Sequence, residues 1–259
     1  MNRASHILPQ KKFLPIIAIL CFANCLNAQN DESAKDSTRV TAEINYFSRY
    51  IWRGLDLNDS HAVLQPSVSV SISEGFSIDV LSSLSLGGTH FNEVDVTLRY
   101  EKEILPEWFD MYAALSSNHY LSTEAEILLS DNESYVNNQE IALGLMTHDL
   151  PLDFSVEYGR GVSGINGDNT GNYLSASLEK EFDLDVLTMN SKISATYLDE
   201  YHIPSDITDI SFENSFDIEA GSFTIQPNVR FVYLPSPQLL NDNDENHIFI
   251  FGLGLSRSW

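Results

Sequence analysis

From Val40 onward, apolar and polar residues alternate with a period of two rather than 3.6, the mark of strands with one greasy face and one polar face. In residues 64–73, Leu64, Pro66, Val68, Val70 and Ile72 alternate with Gln and Ser. Glu74-Gly75 is a turn, after which Phe76, Ile78 and Val80 alternate with Ser77 and Asp79. Similar apolar rows run through Ile44 and Tyr46, through Val94, Val96, Leu98 and Tyr100, and through Phe109, Met111, Ala113 and Leu115. They continue through Ile141, Leu143 and Leu145, then Phe154, Val156 and Tyr158, Leu174 and Leu178, and Leu187, Met189, Ile193 and Tyr197. Ile210 and Phe212, Ile225, Val229 and Phe231, and Phe249, Phe251, Leu253 and Leu255 complete the set. About twelve strands are expected, within about two, because 119–140 is ambiguous. Pro66 and Pro227 fall inside strand patterns, where a strand start or a bulge is expected.

The connections also alternate. Those at 73–75, 104–107, 147–152, 181–185 and 219–222 are short, and those at 53–61, 119–134, 159–172, 198–208 and 235–247 are long. A soluble sandwich has no reason to sort its loops by parity, whereas a membrane barrel has short periplasmic turns and longer outer loops. The apolar rows contain no charge. The opposite rows carry Glu43, Asp79, Glu93, Asp95, Arg99, Asp110, Asp153, Glu157, Lys192, Glu213, Asp217 and Arg230. The expected fold is therefore all-β, an antiparallel transmembrane β-barrel over residues 39–259, with the apolar rows toward lipid and the charged rows lining a wet lumen. Tyr46, Tyr50, Trp52, Tyr100, Trp108, Phe109, Tyr158, Tyr197, Tyr233 and Trp259 lie near strand ends, where interfacial girdles are expected.

Composition sharpens this reading. The chain has 259 residues, with 14 Lys+Arg against 37 Asp+Glu and a net charge of -23. An acidic protein is a poor partner for nucleic acid, which needs clustered Lys and Arg. The mean hydropathy of -0.14 is too polar for a bundle of membrane helices but compatible with alternating strands. Arg3, Lys11 and Lys12 precede the apolar stretch 13–23, which is too short to span a bilayer as a helix. Residues 1–28 are expected to be an export signal cleaved after Ala28, with 29–38 a flexible lead-in. Cleavage removes both Cys21 and Cys25, so no disulfide is expected, and takes the net charge from -23 to -26.

Little else in the sequence suggests chemistry. The His residues are scattered without zinc-ligand spacing. The run Asn241-Asp242-Asn243-Asp244-Glu245-Asn246 lacks the length and central Gly of a calcium loop and reads as a solvated turn. No nucleophile elbow, P-loop or dinucleotide fingerprint occurs. No enzyme activity, metal or cofactor is expected. Acidic residues outnumber basic ones nine to three on the charged rows, so a cation-preferring channel for small solutes is expected. Glu93, Asp95, Arg99, Asp110, Glu157, Lys192, Glu213, Asp217 and Arg230 are the residues expected to line it. The alternative is a non-conducting barrel that binds a ligand or partner through its outer loops.

Two segments carry resemblances. The chain ends on Phe251, Leu253, Leu255 and Trp259 in an alternating strand, with Arg257 in a slot that often holds an aromatic. This resembles the assembly signal of bacterial outer-membrane proteins, and implies the barrel-assembly machinery as a partner beside outer-membrane lipid and lipopolysaccharide. Ser48, Tyr50, Trp52, Arg53 and Gly54, followed by Gln65-Pro66 and Gly75, resemble the opening of the TorF family of porin-like proteins, earlier catalogued as conserved proteins of unknown function. The match covers about the first third of the mature chain, and implies an outer-membrane transport barrel without catalytic residues. From the residues alone, Gly54 suits a positive φ where the first strand enters its loop. Arg53 suits a lumen carboxylate, a lipopolysaccharide phosphate, or simply the surface beside a turn.

Overall fold

The computed structural model describes residues 38–58, 60–72, 75–87, 92–106, 108–120, 137–148, 150–163, 171–199, 206–236 and 245–259. The expected signal 1–28, most of the lead-in, residues 121–136 of the ambiguous stretch 119–140 and residues 241–244 of the acidic run 241–246 lie outside these residues.

Twelve antiparallel strands close into one barrel. They are β1 (Arg39–Phe47), β4 (Val63–Ile72), β5 (Phe76–Ser85), β6 (Asn92–Leu105), β7 (Phe109–Tyr120), β8 (Asn137–Thr147), β9 (Asp153–Ser163), β10 (Asn172–Asp183), β11 (Thr188–Asp199), β12 (Asp206–Ala220), β13 (Phe223–Tyr233) and β14 (His247–Ser258). Each strand pairs with its sequence neighbours. Closure comes from β1, which pairs with β14 on one side (Ile44 opposite Leu255) and with β4 on the other (Ala42 opposite Val68). Two further strands of two residues each, β2 (Ile51–Trp52) and β3 (Leu55–Asp56), pair only with each other.

The barrel is turned inside out relative to a soluble protein. Phe249 is 63% exposed and Leu143 55%, with Val96, Leu98, Met111, Ile193 and Phe212 also on the outer surface. Tyr46, Trp108 and Tyr197 are exposed at or near strand ends, where amphipathic rings suit a membrane interface, whereas the exposed Tyr100 and Tyr158 lie within β6 and β9. Acidic groups are among the most buried: Glu93 is 3% exposed, Glu140 5% and Asp209 1%. An apolar outer wall around a polar interior is the arrangement a bilayer requires.

Pro66 and Pro227 mark neither strand starts nor bulges. Both lie inside strands, and register is kept across them. The β4–β5 ladder passes from Leu64↔Leu84 to Ser67↔Leu81, and the β12–β13 ladder from Ser215↔Asn228 to Ile218↔Ile225, with the intervening pairs missing. Where proline has no N–H to give, the ladder lapses locally instead of slipping. A true bulge lies at Thr208, since Asp209 opposes Thr196 while Ile207 opposes Tyr197.

The outer wall makes a direct prediction. Leu143→Arg, in the middle of β8, should lower unfolding free energy in lipid vesicles by about 2–4 kcal/mol, read by denaturant titration. The same change at Asn190, on the inward row of β11 with Lys192, should cost clearly less.

Candidate functional site

The interior is built from the row opposite the lipid-facing residues. The nine charged residues singled out from the sequence project from that row. On β6, Glu93, Asp95 and Arg99 alternate with the exposed Val96, Leu98 and Tyr100, and on β7, Asp110 alternates with Met111. Glu157 neighbours the exposed Tyr158, Lys192 neighbours Ile193, Glu213 neighbours Phe212, Asp217 neighbours Ile218, and Arg230 sits opposite Glu213. Several are tied into the wall. Arg99 bridges Glu101 at 2.6 Å, Lys192 approaches Glu179 at 3.6 Å, and Arg230 lies 3.8 Å from Asp209. Asp217 accepts from Gln226 at 2.5 Å and from Asn190 at 3.3 Å.

Two glycines let aromatic rings cross the inner wall. A Cβ on Gly144 would lie 2.1 Å from the Tyr112 ring, and one on Gly159 would lie 2.0 Å from the Tyr173 ring. With no side chain beneath it, Tyr112 passes over β8 and donates to Glu157 on β9 at 2.5 Å. Tyr173 donates to the other oxygen of Glu157 at 2.8 Å. Arg99 covers the Tyr112 ring at 3.7 Å. These partners answer the cost of a carboxylate withdrawn from bulk water.

The segment between β1 and β4 departs most from expectation. The sequence pattern predicts the end of a strand followed by an outer loop, with Tyr50 and Trp52 at the membrane interface. Instead β1 ends at Phe47, and residues 50–57 fold back into the barrel as a small hairpin of β2 and β3, extended by Leu57 N donating to Tyr50 O at 3.0 Å. Its tip is Arg53-Gly54, with φ of 49° and 81°. Two successive positive φ values between paired strands suit a type I′ turn, whose twist matches a tight hairpin. Gly54 is needed twice over, because a Cβ there would lie 2.7 Å from the carbonyl oxygen of Thr208, at the bulge in β12.

Nearly every side chain of the hairpin meets the inner wall. Arg53 makes a bidentate pair with Glu140 of β8 at 2.9 and 3.0 Å. Its guanidinium lies 3.4 Å from the centre of the Tyr173 ring and 4.2 Å from that of Trp52. Trp52 packs into the cluster of Ala142, Tyr173, Leu198 and Ala114, and Ile51 into that of Val232, Leu234, Ile248 and Ile250. Tyr50 donates to Glu93 of β6 at 3.2 Å. Burial pushes the Tyr50 phenol well above its ordinary value, so it remains a donor.

Below Trp52 and Ile51 the hairpin is held by its own chain. Asp56 bridges Arg49 at 2.7 Å and accepts from the backbone N–H of Ser60. Ser48 continues the pairing with β14, its N–H donating to Phe251 O and its Oγ accepting from Phe251 N. The motif 48–54 is thus one structural device, with Ser48 at its root and Arg53-Gly54 at its tip. Glu140, Tyr112, Tyr173 and Asp209 belong to the site but were not singled out from the sequence. The signal for Glu140 was its position opposite the apolar row of Ile141 and Leu143. The signal for the tyrosines was glycine in the inward slots of β8 and β9.

At the other end, Phe251, Leu253 and Leu255 face outward. Trp259 pairs its backbone with Val40 at the seam. Arg257 lies over the Phe223 and Trp259 rings at 5.5 and 4.9 Å. Among the described residues, no three or more His, Cys, Asp or Glu are grouped so as to hold a metal ion.

A closed antiparallel barrel of twelve strands, apolar outside and charged inside, is the architecture of a bacterial outer-membrane β-barrel. The chain belongs to the family described as "Bacterial protein of unknown function (Gcw_chp)", whose model matches residues 31–227. No curated protein matches it. Among solved structures it resembles a KdgM porin in complex with disordered oligogalacturonate, at 11% identity and a TM-score of 0.54, over 85% of this chain and 99% of that one. It also resembles the NanC porin (12% identity, TM-score 0.52, over 85% and 99%) and an outer membrane channel from Pseudomonas putida F1 (10%, 0.52, over 89% and 100%). At these identities the likeness is one of fold.

The tyrosine crossing generates a prediction. Gly144→Ala should displace the Tyr112 ring and lower unfolding free energy by about 1–3 kcal/mol. Most of that cost should vanish in a Tyr112→Ala background, where no ring remains to be displaced, and a double-mutant cycle by denaturant unfolding reads the difference.

Proposed function

We propose that the protein is a channel of the bacterial outer membrane that passes small solutes by diffusion and prefers cations. The carrying observation is the inner wall below the hairpin. Glu43, Asp79, Glu101, Asp110, Asp153, Glu179, Glu213 and Asp217 are all partly accessible there, and the basic groups Arg99 and Lys192 are already engaged by Glu101 and Glu179. A low-dielectric wall lined by one sign of charge concentrates ions of the other sign. The resemblance of residues 48–54 to the TorF family supports transport, and the porin folds of the structural neighbours are consistent with it. The solute is not an anionic sugar chain of the kind named for the KdgM complex, because this acidic wall would repel it.

This reading includes export through a cleaved leader. It also includes outer-membrane lipid and lipopolysaccharide around the barrel, and assembly through the strand ending in Phe251, Leu253, Leu255 and Trp259. It assigns no catalytic step and no cofactor. One observation favours the second reading, a non-conducting barrel that binds through its outer loops: hairpin 50–57 reaches the inner faces of β6, β8, β10, β12, β13 and β14.

Planar-bilayer recording decides between them. Under a salt gradient the reversal potential should have the sign of cation preference, larger at low salt where screening is weak. Replacing Asp79, Asp110 and Asp217 together by Asn should reduce it. A preference for anions would exclude the cation-selective wall, and absence of current steps from both the wild type and Arg53→Asn, which loses the ion pair holding the hairpin, would exclude the channel.

A further inference from the structure

Hairpin 50–57 is not part of the barrel's closure. β1 and β4 pair directly along their whole length, from Arg39↔Ser71 to Phe47↔Val63, so the wall is complete without the fifteen residues between them. The hairpin is an appended unit with its own internal ties. Ile51 pairs with Asp56 and Trp52 with Leu55, and Asp56 gathers Arg49, Asn58 and Ser60. Those bonds can persist whether or not the unit is seated.

The contacts that seat it are of another kind. Beside two apolar packings and the Arg53 guanidinium over the Tyr173 ring, they include polar contacts to wall carboxylates, Arg53 to Glu140 and Tyr50 to Glu93. Both carboxylates are almost fully buried beneath the hairpin. Seating therefore removes two acids from water, and it is favourable only while their partners are in place. Unseating returns both to water. The bidentate Arg53–Glu140 pair is the ion pair that joins the hairpin tip to the wall.

Resting on the channel reading, we propose that hairpin 50–57 is its gate. It is a tethered strap that closes the lumen at the end carrying the long connections while Arg53 is latched between Glu140 and Tyr173, and it opens that end when the latch is released. The turn chemistry supplies a clean test. Arg53→Asn converts the tip to Asn-Gly, a preferred type I′ pair, so the hairpin keeps its turn and loses only the guanidinium. Glu140→Gln removes the charge from the wall side with little change of shape.

Two measurements are made on full-length protein carrying Cys21→Ser and Cys25→Ser, which leave it free of cysteine. The first is single-channel conductance, expected to rise severalfold in either latch variant. The second needs no current. Ser83 is fully buried on the inner wall, where it accepts from Gln65 of β4 at 2.8 Å and lies within hydrogen-bonding reach of Tyr50. Ser83→Cys should react slowly with a water-soluble maleimide when the latch is intact, and at least tenfold faster with Arg53→Asn or Glu140→Gln. Gel migration of unheated samples confirms that each barrel is folded. Unchanged labelling and unchanged conductance in both folded latch variants would overturn the gate and leave the channel reading standing. Faster labelling with no current from any variant would overturn the channel and leave a releasable strap.

Discussion

A backbone N–H or C=O in the hydrocarbon of a bilayer has no water to bond, and each one left unpaired costs several kcal/mol, on the order of an unmade hydrogen bond in an apolar solvent. A sheet meets that demand only by closing on itself. Here closure is made by β1, which takes β14 on one side and β4 on the other, and by the backbone pairing of Trp259 with Val40 at the seam. Once the sheet is closed, its two faces have different solvents, and strand alternation sorts every side chain between them. The same constraint accounts for the two mid-strand prolines. Each leaves a local gap in one ladder, but the registers on either side are held by the rest of a continuous sheet.

A wall that puts most of its apolar surface outside leaves an interior of charge with only small apolar clusters. Twelve strands also enclose more space than the wall's own side chains fill. The interior meets this in two ways. In the half nearer the short turns, acids and amides remain partly accessible. In the other half, chain is brought in from outside the wall to supply what is missing. Ile51 and Trp52 provide small apolar clusters, and Arg53 and Tyr50 provide partners for Glu140 and Glu93. The hairpin thus does for one end of the lumen what a hydrophobic core does for a soluble protein. The tyrosines laid over Gly144 and Gly159 extend the same logic, since a ring bridges neighbouring strands where a wall side chain is absent.

Burying carboxylates this way ties structure to function. A soluble core packed with Leu and Val is insensitive to its surroundings, but Glu93, Glu140 and Asp209 are stable inside only because of specific partners. The groups that make the proposed lumen attractive to cations are the same kind of group that the hairpin must neutralise in order to seat.

The wall was legible in the sequence because alternation is a local property. A residue's parity within its strand sets its face, and the absence of charge from one parity said which face meets lipid. The parity of loop lengths added the topology, and twelve strands followed. The hairpin was not legible. Tyr50 and Trp52 lie just past a strand end, where aromatics are equally at home at a membrane interface or in a lumen, and nothing within 48–54 says which way the chain turns. That choice depends on distant residues: the carboxylate of Glu140, the ring of Tyr173 and the carbonyl of Thr208, each on a different strand and brought together only when the barrel closes. The sequence by itself determined the barrel and the sign of its interior, since both follow from patterns a few residues long. Only the tertiary structure decided that the first long connection lies inside the lumen, because its docking site does not exist until strands remote in sequence stand side by side.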